Sequence, residues 1–156
     1  NEMEWLVRFI SAIRAVRAEM NVPPSARLAL LVKGASPLTK ARLELHRAII
    51  LTLARGETLE SVDEAPAKGA VQVVVDEATV ALPLTGIVDL EQEKARLTKE
   101  IGKLAQEIDK VDKRLGNDGF VAKAPPEVVE EQRERRQEWV TARARLTEAL
   151  ARIAAI

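Results

Sequence analysis

Apolar residues in the second half of the chain recur at alternating intervals of three and four positions. This spacing predicts two long helices, each burying a narrow stripe against the other. Residues 116–126 lie between them, and because so short a link cannot turn the chain through a wide loop, the helices should run antiparallel. In the link, Gly116 and Gly119 are expected in the left-handed conformation that ends a helix, and Pro125 and Pro126 suit the first turn of the next. The stripe contains Leu97, Ile101, Leu104, Ile108, Val111 and Leu115 in the first helix and Val129, Trp139, Leu146, Leu150 and Ile153 in the second.

Counting outward from the link gives a register for these two helices. Leu104 should lie beside Trp139, Ile108 beside Arg136, and Leu97 beside Leu146. The two patterns agree over the whole length, so we expect a self-sealed hairpin about 40 Å long that protrudes from the rest of the chain.

The first half predicts a helix followed by a small sheet. Residues 2–20 form an amphipathic helix with Met3, Leu6, Ile10, Ile13 and Arg17 on one face, and with Trp5 and Phe9 outside it. So much apolar surface suggests a helix from a larger bundle. Prolines at 23 and 24 prevent its continuation.

Strands are then predicted at 28–32, 58–62, 70–75 and 79–84, with a helix at 38–55 that is capped by Ser36. The helix should turn Leu38, Leu45, Ala48, Ile49 and Leu53 inward. The fold class is therefore α+β: one helix, a β-α-β-β-β domain and an antiparallel coiled-coil hairpin. We expect a terminal helix of a truncated helical domain at 1–22, the small α/β domain at 23–88 and the arm at 89–156.

Composition supplies little for catalysis. The chain has no cysteine and a single histidine, His46, which we expect to be a surface or half-buried side chain. Lysine plus arginine and aspartate plus glutamate both number 24, so the net charge favours neither nucleic acid nor a membrane. No phosphate-binding glycine motif and no metal-ligand spacing is present. We therefore predict neither catalytic residues nor a metal or cofactor site in this chain.

The predicted arm carries 14 basic and 13 acidic side chains, and its cations gather near the link. One interpretation is a solvated coiled coil with weak ion pairs. The other is a tip that contacts phosphates, with Phe120 either closing the end of the hairpin or stacking on a base. The candidate RNA-binding residues are Lys103, Lys110, Lys113, Arg114, Phe120, Lys123, Arg133 and Arg136.

Three segments resemble the C-terminal region of bacterial valyl-tRNA synthetases, in the order and spacing of that family. IRAVRAEMNVPP at 13–24 resembles the end of the anticodon-binding domain. VDLEQEKARL at 88–97 resembles the start of the family's arm, and LGNDGFVAKAPPEVV at 115–129 resembles its hairpin turn. Together the three segments span most of the chain.

The resemblance implies a cytoplasmic class I enzyme that joins valine to its tRNA with ATP and Mg²⁺. The family's active-site signatures, His-Ile-Gly-His and Lys-Met-Ser-Lys-Ser, do not occur here, which implies a non-catalytic part of such an enzyme. In the family the arm reaches the tRNA corner where the D and T loops meet. The expected partners are a valine-specific tRNA and the rest of the synthetase, with no membrane and no DNA.

Two other interpretations stay open. The hairpin could mediate protein interaction or oligomerisation with no role in RNA binding. It could also be the coiled-coil tail of another nucleic-acid-associated ATPase, although residues 20–24 and the β-α-β-β-β unit argue against that.

Overall fold

A computed structural model describes residues 1–66 and 68–156, and it divides the chain into two compact units. The first unit contains Asn1–Leu90 with Ala155–Ile156, and the second contains Glu91–Ala154. The α+β class is confirmed, since a helix and a four-stranded sheet precede the long helices. The finer division at residues 22 and 88 stays a prediction.

The first unit begins with helix α1, Glu2–Glu19. The Asn1 side chain caps it by accepting hydrogen bonds from the backbone N–H groups of Met3 and Glu4. Asn21, at φ 56°, closes its other end in the left-handed conformation that asparagine tolerates. There the N–H of Val22 donates to the carbonyl of Arg17.

The predicted buried face of α1 was partly wrong. Met3 is 62% exposed, whereas Trp5 and Phe9 are almost fully buried and stack with their ring centroids 5.1 Å apart. Leu6, Ile10, Ile13 and Arg17 are buried as expected. The inward face is therefore wider than one stripe, because α1 contacts both the sheet and the helix α3 described below.

Four strands form one sheet in the order β2-β1-β4-β3: β1 is Leu28–Lys33, β2 Gly56–Val62, β3 Ala70–Val75 and β4 Ala78–Pro83. Strand β1 pairs parallel with β2 and antiparallel with β4, and the two residues Asp76 and Glu77 join β3 to β4. Pro83 ends a central strand and does not lie on an edge strand. Four strands thus lie where the sequence predicts them, with bounds that differ by at most two residues, and β3 and β4 form the predicted hairpin.

The helix predicted at 38–55 is two helices, α2 Pro37–Leu45 and α3 Arg47–Leu53, with a break at His46. The Ser36 cap is confirmed, since its hydroxyl accepts from the N–H of Thr39. The predicted inward face was wrong. The exposed residues are Leu38, Leu45, Ala48, Ile49 and Leu53, and the buried ones are Thr39, Leu43, Ile50 and Ala54. Helix α3 contacts β2, and α2 contacts α3.

The second unit consists of α4, α5 and α6, which span Leu90–Leu115, Asp118–Lys123 and Pro126–Ala154. The link is not irregular, because Asn117 caps the short helix α5 by accepting from the N–H of Phe120. Gly116 and Gly119 do not adopt the left-handed conformation, since neither has a positive φ. Pro126 opens α6, as predicted. Among the residues that the structure describes, no helix is long and apolar enough to cross a membrane.

Candidate nucleic-acid interface

The two long helices bury the stripe that their sequence pattern predicts. Leu97, Ile108 and Val111 are buried on α4, as are Val129 and Ile153 on α6. The intervening stripe positions are half-buried: Ile101, Leu104 and Leu115 on α4, and Gln132, Arg136, Trp139, Arg143, Leu146 and Leu150 on α6. Burial thus recurs every three or four residues along both helices, and it leaves the remaining circumference to charged side chains.

Two polar contacts join the helices near the link. Arg114 Nη1 donates to Gln132 Oε1 at 3.2 Å, and Arg136 Nε donates to Asp112 Oδ1 at 2.5 Å. Asp112 precedes Arg114 on α4, whereas its partner Arg136 follows Gln132 on α6. The two contacts are therefore in opposite order along the two helices, so the helices run antiparallel here. The predicted register places Arg136 beside Ile108. In the structure Arg136 contacts Asp112, which lies about one helical turn further along α4. The Asp112 carboxylate raises the pKa of the Arg136 guanidinium by a hydrogen bond and by charge attraction.

Four of the candidate cations are exposed and pair with carboxylates of their own helix. Their partners lie three or four residues earlier, the spacing at which side chains of a helix meet. The nitrogen–oxygen distances are 3.9 Å for Lys103–Glu100, 3.4 Å for Lys110–Glu107, 3.0 Å for Lys113–Asp109 and 3.8 Å for Arg133–Glu130. Exposed pairs of this kind contribute little to stability, so a competing anion can replace the carboxylate at small cost.

Lys123 and Phe120 occupy the short helix of the link. Lys123 is exposed in the last turn of α5, and no ion pair involves it within the described residues. Phe120 is half-buried. Its predicted role, closure of the hairpin or base stacking, stays a prediction.

Sequence reasoning missed Asp112 and Gln132 as partners of candidate arginines. Gln132 lies at a half-buried position of the stripe and Asp112 directly follows the buried Val111, where the partner helix passes within reach of a long side chain. Polar residues at or beside the stripe, opposite Arg114 and Arg136, were the available signal. Arg114 and Arg136 each make a contact between α4 and α6, whereas Lys103 lies about two helical turns before Lys110.

These residues can bind anions and cannot carry out a bond-breaking step by themselves. Solvated lysine and arginine side chains donate hydrogen bonds to phosphate oxygens, and such contacts position a nucleic acid without reading its sequence. Within the described residues, no group of three His, Asp or Glu side chains could hold a metal ion.

Comparison with known proteins identifies the class of this arm. Residues 89–154, which contain the whole of α4, α5 and α6, match the family described as the valyl tRNA synthetase tRNA binding arm. The second unit is therefore an arm module of the kind found in aminoacyl-tRNA synthetases.

Full-length relatives extend the match over the first unit. The chain is 52% identical over 155 residues to the valine–tRNA ligase of Caulobacter vibrioides and 50% identical over 152 residues to that of Agrobacterium fabrum. These alignments cover 99% and 97% of the chain but only 17% and 16% of the relatives, so the chain spans about a sixth of their length. The chain belongs to the valyl-tRNA synthetase family, which confirms the resemblance seen in the sequence.

Proposed function

We propose that this chain is the non-catalytic, tRNA-binding part of an enzyme that joins valine to its tRNA. Its arm contacts the corner of the tRNA where the D and T loops meet, and this contact positions the tRNA for aminoacylation. One observation carries the proposal. Residues 89–154 match the family's tRNA-binding arm, and the helices that they form carry cations near the link.

The proposed mechanism is exchange of partners at the surface of the arm. Lys110, Lys113 and Arg133 each leave a carboxylate of their own helix and donate to a phosphate oxygen of the RNA. Lys123 makes such a contact without losing a partner. The folded corner of a tRNA is recognised mainly by its shape, so a stiff scaffold that holds several cations at fixed spacing suits it.

The stiffness of that scaffold is part of the proposal. We propose that α4 and α6 form an antiparallel coiled coil, supported by the burial of their stripe every three or four residues. Arg114–Gln132 and Arg136–Asp112 then hold its end in register.

The whole enzyme would use ATP and Mg²⁺ in a catalytic domain outside this chain, and would work in the cytoplasm. The rest of the synthetase polypeptide is then the second partner of the chain. These statements rest on the valine–tRNA ligases to which the chain is similar.

Charge reversal at the link tests the proposal. Changing Lys110, Lys113 and Arg114 together to glutamate should weaken tRNA binding at least about tenfold. It should also reduce the slope of log K against log salt by roughly two to three, since each phosphate contact contributes about 0.7 to 0.9. Binding is measured by filter retention or fluorescence anisotropy over a series of salt concentrations.

A matched control reverses three exposed cations that are remote along the chain from the link. Lys40, Lys99 and Arg145 suit this purpose, because no ion pair involves them within the described residues. If both triple variants bind tRNA equally well, the arm's end does not make the contacts proposed. Light scattering tests the other interpretation. A stable dimer whose mass does not change when tRNA is added, together with an affinity for tRNA that is unchanged in the triple variant, would favour an oligomerisation hairpin.

A further inference from the structure

Two adjoining cavities open beside Pro24 in the first unit, and four arginines surround them. The cavity of about 270 Å³ is lined by Arg27, and the cavity of about 230 Å³ by Arg14 and Arg17; both share Pro24 and Arg55. We call this group, Arg14, Arg17, Arg27 and Arg55, the arginine pocket. Among the residues that the structure describes, no aspartate or glutamate lines either cavity.

Backbone carbonyl groups hold the central arginine in place. Arg17 is only 6% exposed, and its guanidinium donates to the carbonyls of Pro23, Ala26 and Arg55 at 3.1, 2.7 and 3.4 Å. The left-handed turn at Asn21 reverses the chain after α1 and so brings residues 23–26 back beside Arg17. The arginine pocket is therefore built on fixed backbone at its floor.

Arg55 is fixed in the same way. It follows α3 with φ 52°, the left-handed conformation that closes a helix, and its guanidinium donates to the carbonyl of Pro24. Arg14 lies one helical turn before Arg17 on α1, and Arg27 precedes β1; both are exposed at the rim. Residues from three separate segments thus present cations to one opening.

The charge of the arginine pocket is not neutralised by carboxylates. Carbonyl oxygens satisfy the hydrogen-bond donors of Arg17 and Arg55, but they carry no net charge. Burial and the nearby positive charge of Arg55 lower the pKa of Arg17. Within the described residues, Arg14 and Arg27 have no ion pair, whereas Arg8 of the same unit lies 2.8 Å from Asp76 and Lys33 lies 3.6 Å from Glu64.

The lining of the two cavities indicates which anion fits. Among the described residues no aromatic side chain lines them, so a nucleobase would find no stacking surface. Guanidinium groups match the geometry of phosphate oxygens in pairs of parallel hydrogen bonds.

We propose that the arginine pocket binds a backbone phosphate of the RNA, which gives the first unit an RNA contact independent of the arm. This proposal rests on the proposed function, since it names a further contact with the same partner. The exposed Arg14 and Arg27 make the contact, the buried Arg17 supplies positive charge, and Arg55, which is also exposed, adds a further positive charge beside them.

The first experiment uses inorganic phosphate as the probe and the whole 156-residue chain. In NMR spectra at low salt, the Nε–H signals of Arg14 and Arg27 should shift to saturation as phosphate is added, while that of Arg8 should not. The double variant Arg14→Gln with Arg27→Gln should lose the shifts at the remaining arginines. Equal shifts at Arg8, or none at Arg14 and Arg27, would overturn the proposal.

The second experiment uses tRNA over a series of salt concentrations. The same double variant should bind tRNA about five- to tenfold more weakly and with a slope smaller by roughly one to two. Its matched control is Arg8→Gln with Lys33→Gln, which removes equal charge from paired side chains. Circular dichroism confirms that both variants are folded.

The outcomes separate this proposal from the proposed function. If reversal at Lys110, Lys113 and Arg114 weakens tRNA binding but the Arg14/Arg27 variant matches its control, the arm binds RNA and the arginine pocket does not. If the Arg14/Arg27 variant is weakened and the arm variant is unchanged, the reverse holds. A chain that binds inorganic phosphate at the arginine pocket but binds no tRNA would overturn the assignment to RNA.

Discussion

Neutralising the carboxylates that pair with Lys110 and Lys113 should strengthen the binding of tRNA to this chain. The partners are Glu107, 3.4 Å from Lys110, and Asp109, 3.0 Å from Lys113. Under the proposed mechanism an RNA phosphate must displace each carboxylate before it can accept from the lysine. Changing Glu107 to Gln and Asp109 to Asn removes this competition and leaves both lysines in place.

The size of the gain follows from the strength of the two pairs. At these distances two unit charges in water attract by about 1.2 to 1.4 kcal/mol before screening. Exposed pairs measured in proteins contribute about 0.2 to 1 kcal/mol, because salt screens them and the side chains lose freedom. Removing two such pairs should therefore favour binding by about 0.4 to 2 kcal/mol. At 1.4 kcal/mol for each factor of ten, affinity should rise about two- to thirtyfold.

Fluorescence anisotropy with labelled tRNA measures this change at two salt concentrations. The gain should be larger at low salt, because screening weakens the contribution of exposed charges. The control changes Glu91 and Glu148 to Gln, which alters the net charge equally at positions remote along the chain from the link. An equal gain in both double variants would mean that only net charge matters. No gain, or weaker binding, would refute the exchange of partners at Lys110 and Lys113.

Two further predictions concern stability. Leu97 is fully buried, so Leu97→Ala should lower the free energy of unfolding by about 3 to 5 kcal/mol. Leu104 is half-buried, so Leu104→Ala should lower it by less than half as much. Urea denaturation followed by circular dichroism measures both losses, and equal losses would contradict the burial pattern. The N–H of Ser36 donates a hydrogen bond to the Glu77 carboxylate at 2.9 Å, and this bond lowers the pKa of Glu77 below the ordinary 4.5. The ionised carboxylate therefore stabilises the fold above pH 4.5, and this stabilisation is lost as the pH falls further. Glu77→Gln should therefore destabilise the chain slightly at pH 7 and not at pH 3, and a difference that persists at pH 3 would contradict the prediction.

The long helices could be predicted from the sequence because one interaction dominates them. Their burial repeats every three or four residues over more than seven turns, and few other arrangements satisfy such a pattern. Strands β1, β3 and β4 were also predictable, since each is a short, mainly apolar run, whereas β2 has only Leu59 and Val62 as apolar residues and gave a weaker signal.

The short helices were not predictable in the same detail. Helices α2 and α3 offer two apolar stripes, one through Leu45 and Ile49 and another through Leu43 and Ile50. Periodicity alone cannot choose between them, and the folded chain buries the second. In the link, Gly119 suggested a break, but the Asn117 cap starts a helix there.

The arginine pocket could not be predicted from sequence spacing. Arg14, Arg27 and Arg55 are separated by 13 and 28 positions, so no local motif connects them. They converge because Asn21 reverses the chain after α1 and because the N–H of Leu28, the first residue of β1, donates a hydrogen bond to the carbonyl of Arg55. Only Arg17, a charged residue on an apolar helix face, gave a signal in the sequence.

A net charge of zero does not exclude a polyanionic partner for this chain, because the relevant comparison is between individual contacts. A lysine of the arm that exchanges an exposed carboxylate for a phosphate gives up about 0.2 to 1 kcal/mol. A hydrogen bond to a charged group contributes about 1.5 to 3 kcal/mol when water is displaced. The exchange is favourable whenever the RNA excludes water from the contact, and unfavourable when the phosphate stays fully solvated. A partner that fits the shape of the arm therefore gains from each cation, whereas a flexible polyanion of equal charge gains little, and net charge cannot distinguish them.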